Sequence, residues 1–217
     1  MKKKINFYIF IYLSVLFLFS VFFLYQKHDV ANDSTISEWL INYEGGFTKR
    51  GVIGQLSIYL SNFFIIKLRD AIFILQTILV GTYFLLIYHF LKNIFYNKIF
   101  IFAIFTPIFI LYPIAEIEVL ARKEIFIFIY LLVYTFIPIE EKKYKFYYKF
   151  FLFPVAILIW EPVIFFILFF FFLDLIENNI KKINKLFFFQ IISYLPSILL
   201  ALYIALNPIS EESHNLM

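Results

Sequence analysis

One short stretch, Ile41 to Leu56, concentrates polar residues within a strongly apolar chain. It reads INYEGGFTKRGVIGQL, in which Glu44, Lys49 and Arg50 stand among four glycines. The glycines are Gly45, Gly46, Gly51 and Gly54. Glycine permits positive φ and close approach of the backbone to a ligand, and cations held beside exposed N–H groups at a helix start suit a phosphate. The pattern predicts a phosphate-binding loop; the alternative is a turn with solvated positive charges at a membrane boundary.

Glu161 is the acid whose neighbours are least able to solvate it. It lies in the sequence WEP, in the middle of the apolar run 146–176. A carboxylate there is expected either to be protonated more readily or to pair with a cation such as Arg50 or Arg122. Its functional interpretation is a general base or a charge that stabilises a cationic transition state. The alternative is a side chain that satisfies backbone groups freed by a helix break.

A second charged cluster, residues 116–124, precedes a later apolar run. Glu124 stands where the first turn of a helix favours negative charge. Glu116 and Glu118 are two residues apart, so they are not expected to act as one metal clamp, although one of them is expected to pair with Arg122. The alternative is ordinary capping with an Arg–Glu pair at the membrane interface. Acids of the preceding loop, Glu38 among them, are expected to be solvated.

Composition indicates a membrane protein. Of 217 residues, 63% are hydrophobic and 16% are charged, and the mean hydropathy is +0.88. With no cysteine, the chain has no disulfide, thiolate metal site or cysteine nucleophile. The net charge of +4 comes from basic residues in short segments between apolar runs, which argues against a nucleic-acid partner.

The apolar runs predict an all-α, polytopic transmembrane helical bundle with about 5–6 spans, forming a single domain over residues 1–217. The spans are expected at about 5–25, 71–91, 99–114, 125–139, 146–176 (broken) and 186–206. Residues 26–68 are expected to form a periplasmic loop with an interfacial helix at about 52–66.

The 146–176 run is too long for one span, since about 31 helical residues extend about 46 Å against a hydrocarbon core of about 30 Å. Pro162 cannot donate a backbone hydrogen bond and disfavours helix at the residue before it. A broken or re-entrant hairpin at Glu161-Pro162 is therefore expected. The lysines at positions 2–4 predict a cytoplasmic N-terminus and, with this hairpin, a periplasmic C-terminus in a bacterial inner membrane.

The segments NYEGGFTKRGVIG, ARKE and WEP resemble, in this order, those of bacterial O-antigen or capsule repeat-unit polymerases. They are more loosely similar to the integral membrane glycosyltransferases of the C superfamily. In such relatives a His often precedes the acid, where this chain has Trp160. The resemblance covers residues 1 to about 175, and relatives are usually longer, so a truncated or split reading frame is one expectation.

The resemblance implies glycosyl transfer or polymerisation of polyprenyl-diphosphate-linked sugars on the periplasmic side. Lys49, Arg50 and Arg122 would hold the diphosphate, on a backbone loop shaped by Gly45, Gly46 and Gly51. Glu161 would activate the acceptor hydroxyl, and Glu44 and Glu124 would orient the cations.

No cofactor is demanded by this chemistry, although a divalent metal is compatible with it. The expected partners are membrane lipids and the polyprenyl-diphosphate-linked glycan, and the sequence leaves the oligomeric state open. The alternatives are a lipid-linked oligosaccharide flippase or transporter subunit, and a non-catalytic membrane subunit. A purely structural subunit would be expected to leave its charged groups scattered and unpaired.

Overall fold

The computed structural model of the chain describes residues 2–30, 34–93, 102–104, 114, 118–178 and 185–207. Within these residues the regular structure is helical and there is no strand, as the all-α prediction requires. Three helical segments are long and apolar enough to cross a membrane, at Lys3–Lys27, Leu68–Lys92 and Lys185–Leu206. They correspond to the predicted spans 5–25, 71–91 and 186–206.

The other predicted spans differ from expectation. The 125–139 run forms a helix only 12 residues long, shorter than the roughly 20 residues that a perpendicular span needs. The 146–176 run is divided into several short helical segments. The 99–114 run lies almost entirely outside the described residues. Three spans are therefore supported, and the larger number stays a prediction.

The described contacts divide the chain into two compact units. The first comprises Met1–Leu40 and Gln55–Leu132. In it α1 (Lys2–Lys27) packs along α4 (Leu68–Asn93), and α2 (Ser34–Leu40) contacts α4. α3 (Gly51–Phe64) coincides with the predicted interfacial helix and contributes its residues from Gln55 onward to this unit.

A buried tryptophan fixes the turn that leads into α5 (Ile125–Phe136) in the first unit. Trp39 on α2 donates its indole N–H to the carbonyl of Ala121 at 3.0 Å and packs its ring against Phe126. Ala121 has a φ of 56°, a left-handed conformation that non-glycine residues rarely adopt. The indole contact therefore holds a strained backbone position directly before Arg122.

The second unit comprises Ile41–Gly54 and Val133–Met217. Its helices are α6 (Lys142–Tyr147), a π-helical segment (Tyr148–Leu152), α7 (Phe153–Ile159), a 3₁₀ helix (Glu161–Phe166), α8 (Ile167–Glu177) and α9 (Lys185–Leu206). α9 packs against all five of the preceding helical segments. The long apolar α9 is thus the common support of this unit.

The predicted helix break is present at Trp160. α7 ends at Ile159, Trp160 is extended with φ −152° and ψ 100°, and the 3₁₀ helix begins at Glu161. Phe153 before the break and Phe170 after it lie edge to face with ring centroids 5.6 Å apart, so the chain turns back on itself. The break follows from local chemistry, since Pro162 disfavours helix at the preceding residue. Its re-entrant placement in a membrane stays a prediction.

Candidate functional site

The glycine-rich loop between α2 and α3 is held by its own hydrogen bonds. The side-chain oxygen of Asn42 accepts a hydrogen bond from the Glu44 backbone N–H at 2.9 Å. Thr48 is buried and donates its hydroxyl to the Asn42 carbonyl at 2.8 Å. The Gly46 N–H donates to the Tyr43 carbonyl at 3.1 Å. The loop is therefore a compact, preorganised turn that presents Lys49 and Arg50 at its end.

Two residues of this loop adopt positive φ, and one of them is not a glycine. Of the loop glycines, Gly46 adopts positive φ, at 108°. The second such residue is Arg50, with φ 65°, directly before the first residue of α3. A non-glycine residue in this conformation is strained, and such strain is concentrated at functional sites. The backbone thus bends at the very residue whose side chain carries the charge.

Gly51 provides close packing rather than unusual dihedral angles. A Cβ atom at this position would lie 2.5 Å from the Tyr43 ring and 2.8 Å from the Thr48 hydroxyl oxygen. Burial raises the pKa of the Tyr43 hydroxyl, and a hydrogen bond with the Gly51 backbone offsets part of the rise. Tyr43 also stacks on Phe47, whose ring packs edge-on against Tyr203 of α9. The loop is thereby anchored to the support helix of its unit.

Arg50 and Glu161 form a bidentate ion pair across 111 positions of sequence. Arg50 Nε donates to Glu161 Oε2 at 2.5 Å, and Arg50 Nη2 donates to Glu161 Oε1 at 3.0 Å. The two side chains are 28% and 30% exposed. Lys49 adds a further favourable electrostatic interaction with the same carboxylate. The predicted pairing of Glu161 with a cation is confirmed, and Arg50 is its partner.

This pair has the chemistry of an anion-binding site with a carboxylate already in place. The planar guanidinium matches two oxygens of a carboxylate or phosphate at once. Because both side chains keep part of their surface exposed, an incoming anion can reach the guanidinium without unfolding the loop. The carboxylate sits at the first residue of the 3₁₀ helix, directly after the extended Trp160.

Arg122 lies in the first unit and has acidic partners of its own. Its Nη2 atom donates to Glu38 Oε1 at 2.7 Å and lies 3.2 Å from Glu124 Oε1. The second carboxylate oxygens of Glu38 and Glu124 are buried and have no hydrogen-bond partner in the described part of the chain. The expectation that Glu38 is solvated is therefore wrong: it is the closest described acid to Arg122. Glu118 is exposed, and Glu116 lies outside the described residues.

The predicted site residues form two ion-paired groups, one in each unit, and Glu44 belongs to neither. Arg50 pairs with Glu161 in the second unit, where Lys49 adds a favourable electrostatic interaction, and Arg122 pairs with Glu124 in the first. Glu44 is exposed, and its carboxylate makes no ion pair with any described residue, so the geometry gives no orienting contact for it. A single pocket shared with Arg122 stays a prediction.

Sequence reasoning missed a second ion pair, between Lys149 and Asp174. Both side chains have no exposed surface. Asp174 accepts hydrogen bonds from Lys149 and Tyr194 on one oxygen and from Tyr134 on the other. Lys149 also donates to the side-chain oxygen of Gln190 and lies over the Tyr194 ring. Five polar side chains thus satisfy one another inside an apolar unit.

A further ion pair, between Lys145 and Glu177, extends this cluster toward the surface and is more accessible than the Lys149–Asp174 pair. Lys145 donates to Glu177 and lies 4.5 Å from the centre of the Tyr134 ring. Lys145 and Lys149 are four residues apart, and Asp174 and Glu177 are three apart, so each pair shares one side of a helical segment. That spacing, with an acid inside the run FFFFLDLIE, was the signal available in sequence.

Fold and sites define an all-helical membrane protein whose described charged residues include several ion-paired clusters. No group of three or more His, Asp or Glu that could hold a metal ion occurs within the described ranges. In comparisons with known proteins, no family model, no curated protein and no solved structure matches the chain.

Proposed function

We propose that the chain catalyses membrane-embedded glycosyl transfer or polymerisation of polyprenyl-diphosphate-linked sugars in bacterial surface polysaccharide synthesis. The main support is the contact between Arg50 and Glu161, which joins the predicted phosphate loop to the predicted catalytic acid. The resemblance of the loop, ARKE and WEP segments to repeat-unit polymerases points the same way.

The reaction assigns one role to each group of the pair. A bond forms between the acceptor hydroxyl oxygen and the anomeric carbon, while the bond from that carbon to the diphosphate oxygen breaks. Glu161 takes the hydroxyl proton, and the diphosphate leaves with the bonding electrons. Lys49 and Arg50 stabilise the negative charge that develops on the leaving group.

Exchange of partners at Arg50 links binding to catalysis. Without substrate, the guanidinium neutralises Glu161 and makes it a weak base. A diphosphate carries more negative charge than one carboxylate and competes for the same two donors. Once Arg50 turns to the diphosphate, the half-buried Glu161 loses the cation that stabilises its charged form and becomes a stronger base. The base is thus activated only when a donor substrate is bound.

Arg122 has a secondary role in this scheme. Two carboxylates already contact its guanidinium. A diphosphate approaching Arg122 therefore meets local negative charge, whereas Lys49 and Arg50 face the single carboxylate of Glu161. We assign the primary diphosphate contact to Lys49 and Arg50. Arg122, paired with Glu124, supports the turn directly before α5.

The test compares Glu161→Gln with Glu140→Gln, a matched change at an exposed acid. Transfer by the purified chain from a polyprenyl-diphosphate-linked oligosaccharide is measured, together with polysaccharide chain length in cells. Loss of a general base is expected to reduce transfer about 10²- to 10⁴-fold for Glu161→Gln, with no change for the control. Arg50→Lys, which keeps the charge but loses the planar fork, is expected to weaken donor binding.

Normal chain length in cells that contain normal amounts of folded Glu161→Gln protein would contradict the catalytic assignment. An equal loss for Glu140→Gln would also contradict it, because the effect would then not belong to the site.

A further inference from the structure

Two adjoining cavities lie along the packed helices α1 and α4 of the first unit, and no residue of the proposed reaction is in their lining. The first is apolar, has a volume of about 340 Å³ and includes Phe10, Ser14, Leu18, Gly81, Leu85 and Tyr88 in its lining. The second also measures about 340 Å³ and is lined by Lys3, Asn6, Phe7, Phe10 and Tyr88. Both are lined by Phe10 and Tyr88, whose rings touch edge to face, so the two cavities adjoin as a groove with an apolar part and a polar end.

Small residues create the apolar part of the groove. A Cβ atom on Gly81 would lie 3.3 Å from the Phe17 ring, so the glycine allows this ring to lie close against α4. Ser14 leaves space beside it on α1. The rim residues Leu18 and Leu85 are exposed. Both helices are long and apolar enough to cross a membrane, so this rim faces lipid when they do so.

The polar end stands in the first two turns of α1. Lys3 is exposed and makes no ion pair with a described residue. The lysines at positions 2–4 predict that this end of the helix lies on the cytoplasmic side. The cytoplasmic leaflet carries anionic lipids, whose head groups are attracted to basic residues near the surface.

We propose that this groove binds one anionic phospholipid, with an acyl chain in the apolar cavity and the phosphate beside Lys3 and Asn6. An apolar cavity beside an exposed basic side chain matches an amphiphile with an anionic head better than a purely apolar helix face. The positive charge at the polar end selects an anionic head group.

Head-group charge, and not chain burial, provides the selectivity. An acyl chain that moves from the bilayer into the groove leaves one apolar environment for another, so the hydrophobic effect contributes little. Attraction of an anionic head group by one lysine near the membrane surface corresponds to a preference of about fivefold. This inference does not rest on the proposed glycosyl transfer.

The experiment uses the full chain reconstituted in bilayers of equal parts phosphatidylglycerol and phosphatidylethanolamine. Lipids that remain bound after release are counted and identified by native mass spectrometry. The unmodified chain is expected to retain one lipid, with phosphatidylglycerol enriched about fivefold. Lys3→Gln is expected to retain a lipid without this preference, whereas Lys4→Gln, at an exposed lysine outside the groove lining, keeps the preference.

Ser14→Phe fills the groove and is expected to abolish retention. Its control is Val15→Phe, an exposed position on the same helix that does not line the groove. If Ser14→Phe does not fold, Leu85→Trp, which adds volume at the exposed rim, tests whether filling the groove abolishes lipid retention. The proposal would be overturned if the filled variants retained as much lipid as Val15→Phe. It would also be overturned if Lys3→Gln and Lys4→Gln lost the head-group preference equally. A lipid-free dimer of the unmodified chain would overturn it as well.

Discussion

Two of the ion pairs described in the second unit have the same cation–carboxylate chemistry in opposite surroundings. Arg50 and Glu161 are each a little under one third exposed and join a glycine-rich loop to a helix break. Lys149 and Asp174 have no exposed surface and join the π-helical segment to α8. The first pair uses two hydrogen bonds between two side chains, whereas the second is enclosed by three further polar side chains.

This difference separates a group that can exchange partners from one that cannot. Removing either member of the enclosed pair leaves a charge without water, which costs far more than losing an accessible contact. An approaching anion can compete for Arg50 because part of its side chain is exposed. We infer that the enclosed pair holds the helices around the break, while the accessible pair performs the chemistry.

The largest effect on stability is expected at Asp174. Asp174→Asn keeps the size of the side chain but leaves the Lys149 ammonium buried without a counter-charge, so the free energy of unfolding is expected to fall by about 3–5 kcal/mol. Thermal or denaturant unfolding of the purified chain in detergent measures this loss.

The control is the double variant Lys149→Met with Asp174→Leu, which removes both charges. It still leaves the hydroxyls of Tyr134 and Tyr194 without their acceptor, so a loss of about 1–3 kcal/mol is expected. The double variant should therefore be more stable than Asp174→Asn. A double variant less stable than the single one would show that the charge pair itself stabilises the unit.

Sequence predicted the accessible pair better than the enclosed one for a physical reason. Glu161 is conspicuous because Pro162 breaks the helix beside it and no neighbour can solvate it. Lys149 is inconspicuous because lysines near the ends of apolar runs usually report topology. Its partners lie 25 and 41 positions away, and only tertiary packing brings them together.

The same limit applies in the first unit. Glu38 meets Arg122 across 84 positions of sequence. Local pattern indicated Glu124 and one of Glu116 and Glu118 as partners of Arg122, and gave no indication of Glu38. Hydropathy, by contrast, is a local property, and it located the three helices that are long enough to span a membrane. Elements set by local chemistry were thus predictable, and contacts between distant segments were not.

An intermediate effect is expected at the loop that carries Arg50. Gly51→Ala places a methyl group 2.5 Å from the Tyr43 ring, so the ring must move. Such overpacking is expected to cost about 1–3 kcal/mol of unfolding free energy and to lower transfer activity by displacing Arg50. Unfolding and transfer assays on the same preparations measure both quantities.

Removal of the obstructing ring provides the control for Gly51→Ala. Adding Tyr43→Leu to Gly51→Ala should recover part of the lost stability, because it removes the ring contact and leaves only the contact with the Thr48 hydroxyl. If the two changes are additive, the ring contact is not the cause of the loss.

The smallest effect on stability is expected at Glu161 itself, where the effect on transfer is expected to be large. Glu161→Gln removes an accessible charge, and water can solvate Arg50 in its place, so unfolding free energy should change by about 1 kcal/mol or less. The same unfolding assay on Glu161→Gln and Asp174→Asn makes the comparison direct. A loss at Glu161 as large as that at Asp174 would mean that both pairs are structural, and the division between an exchangeable pair and an enclosed one would be wrong.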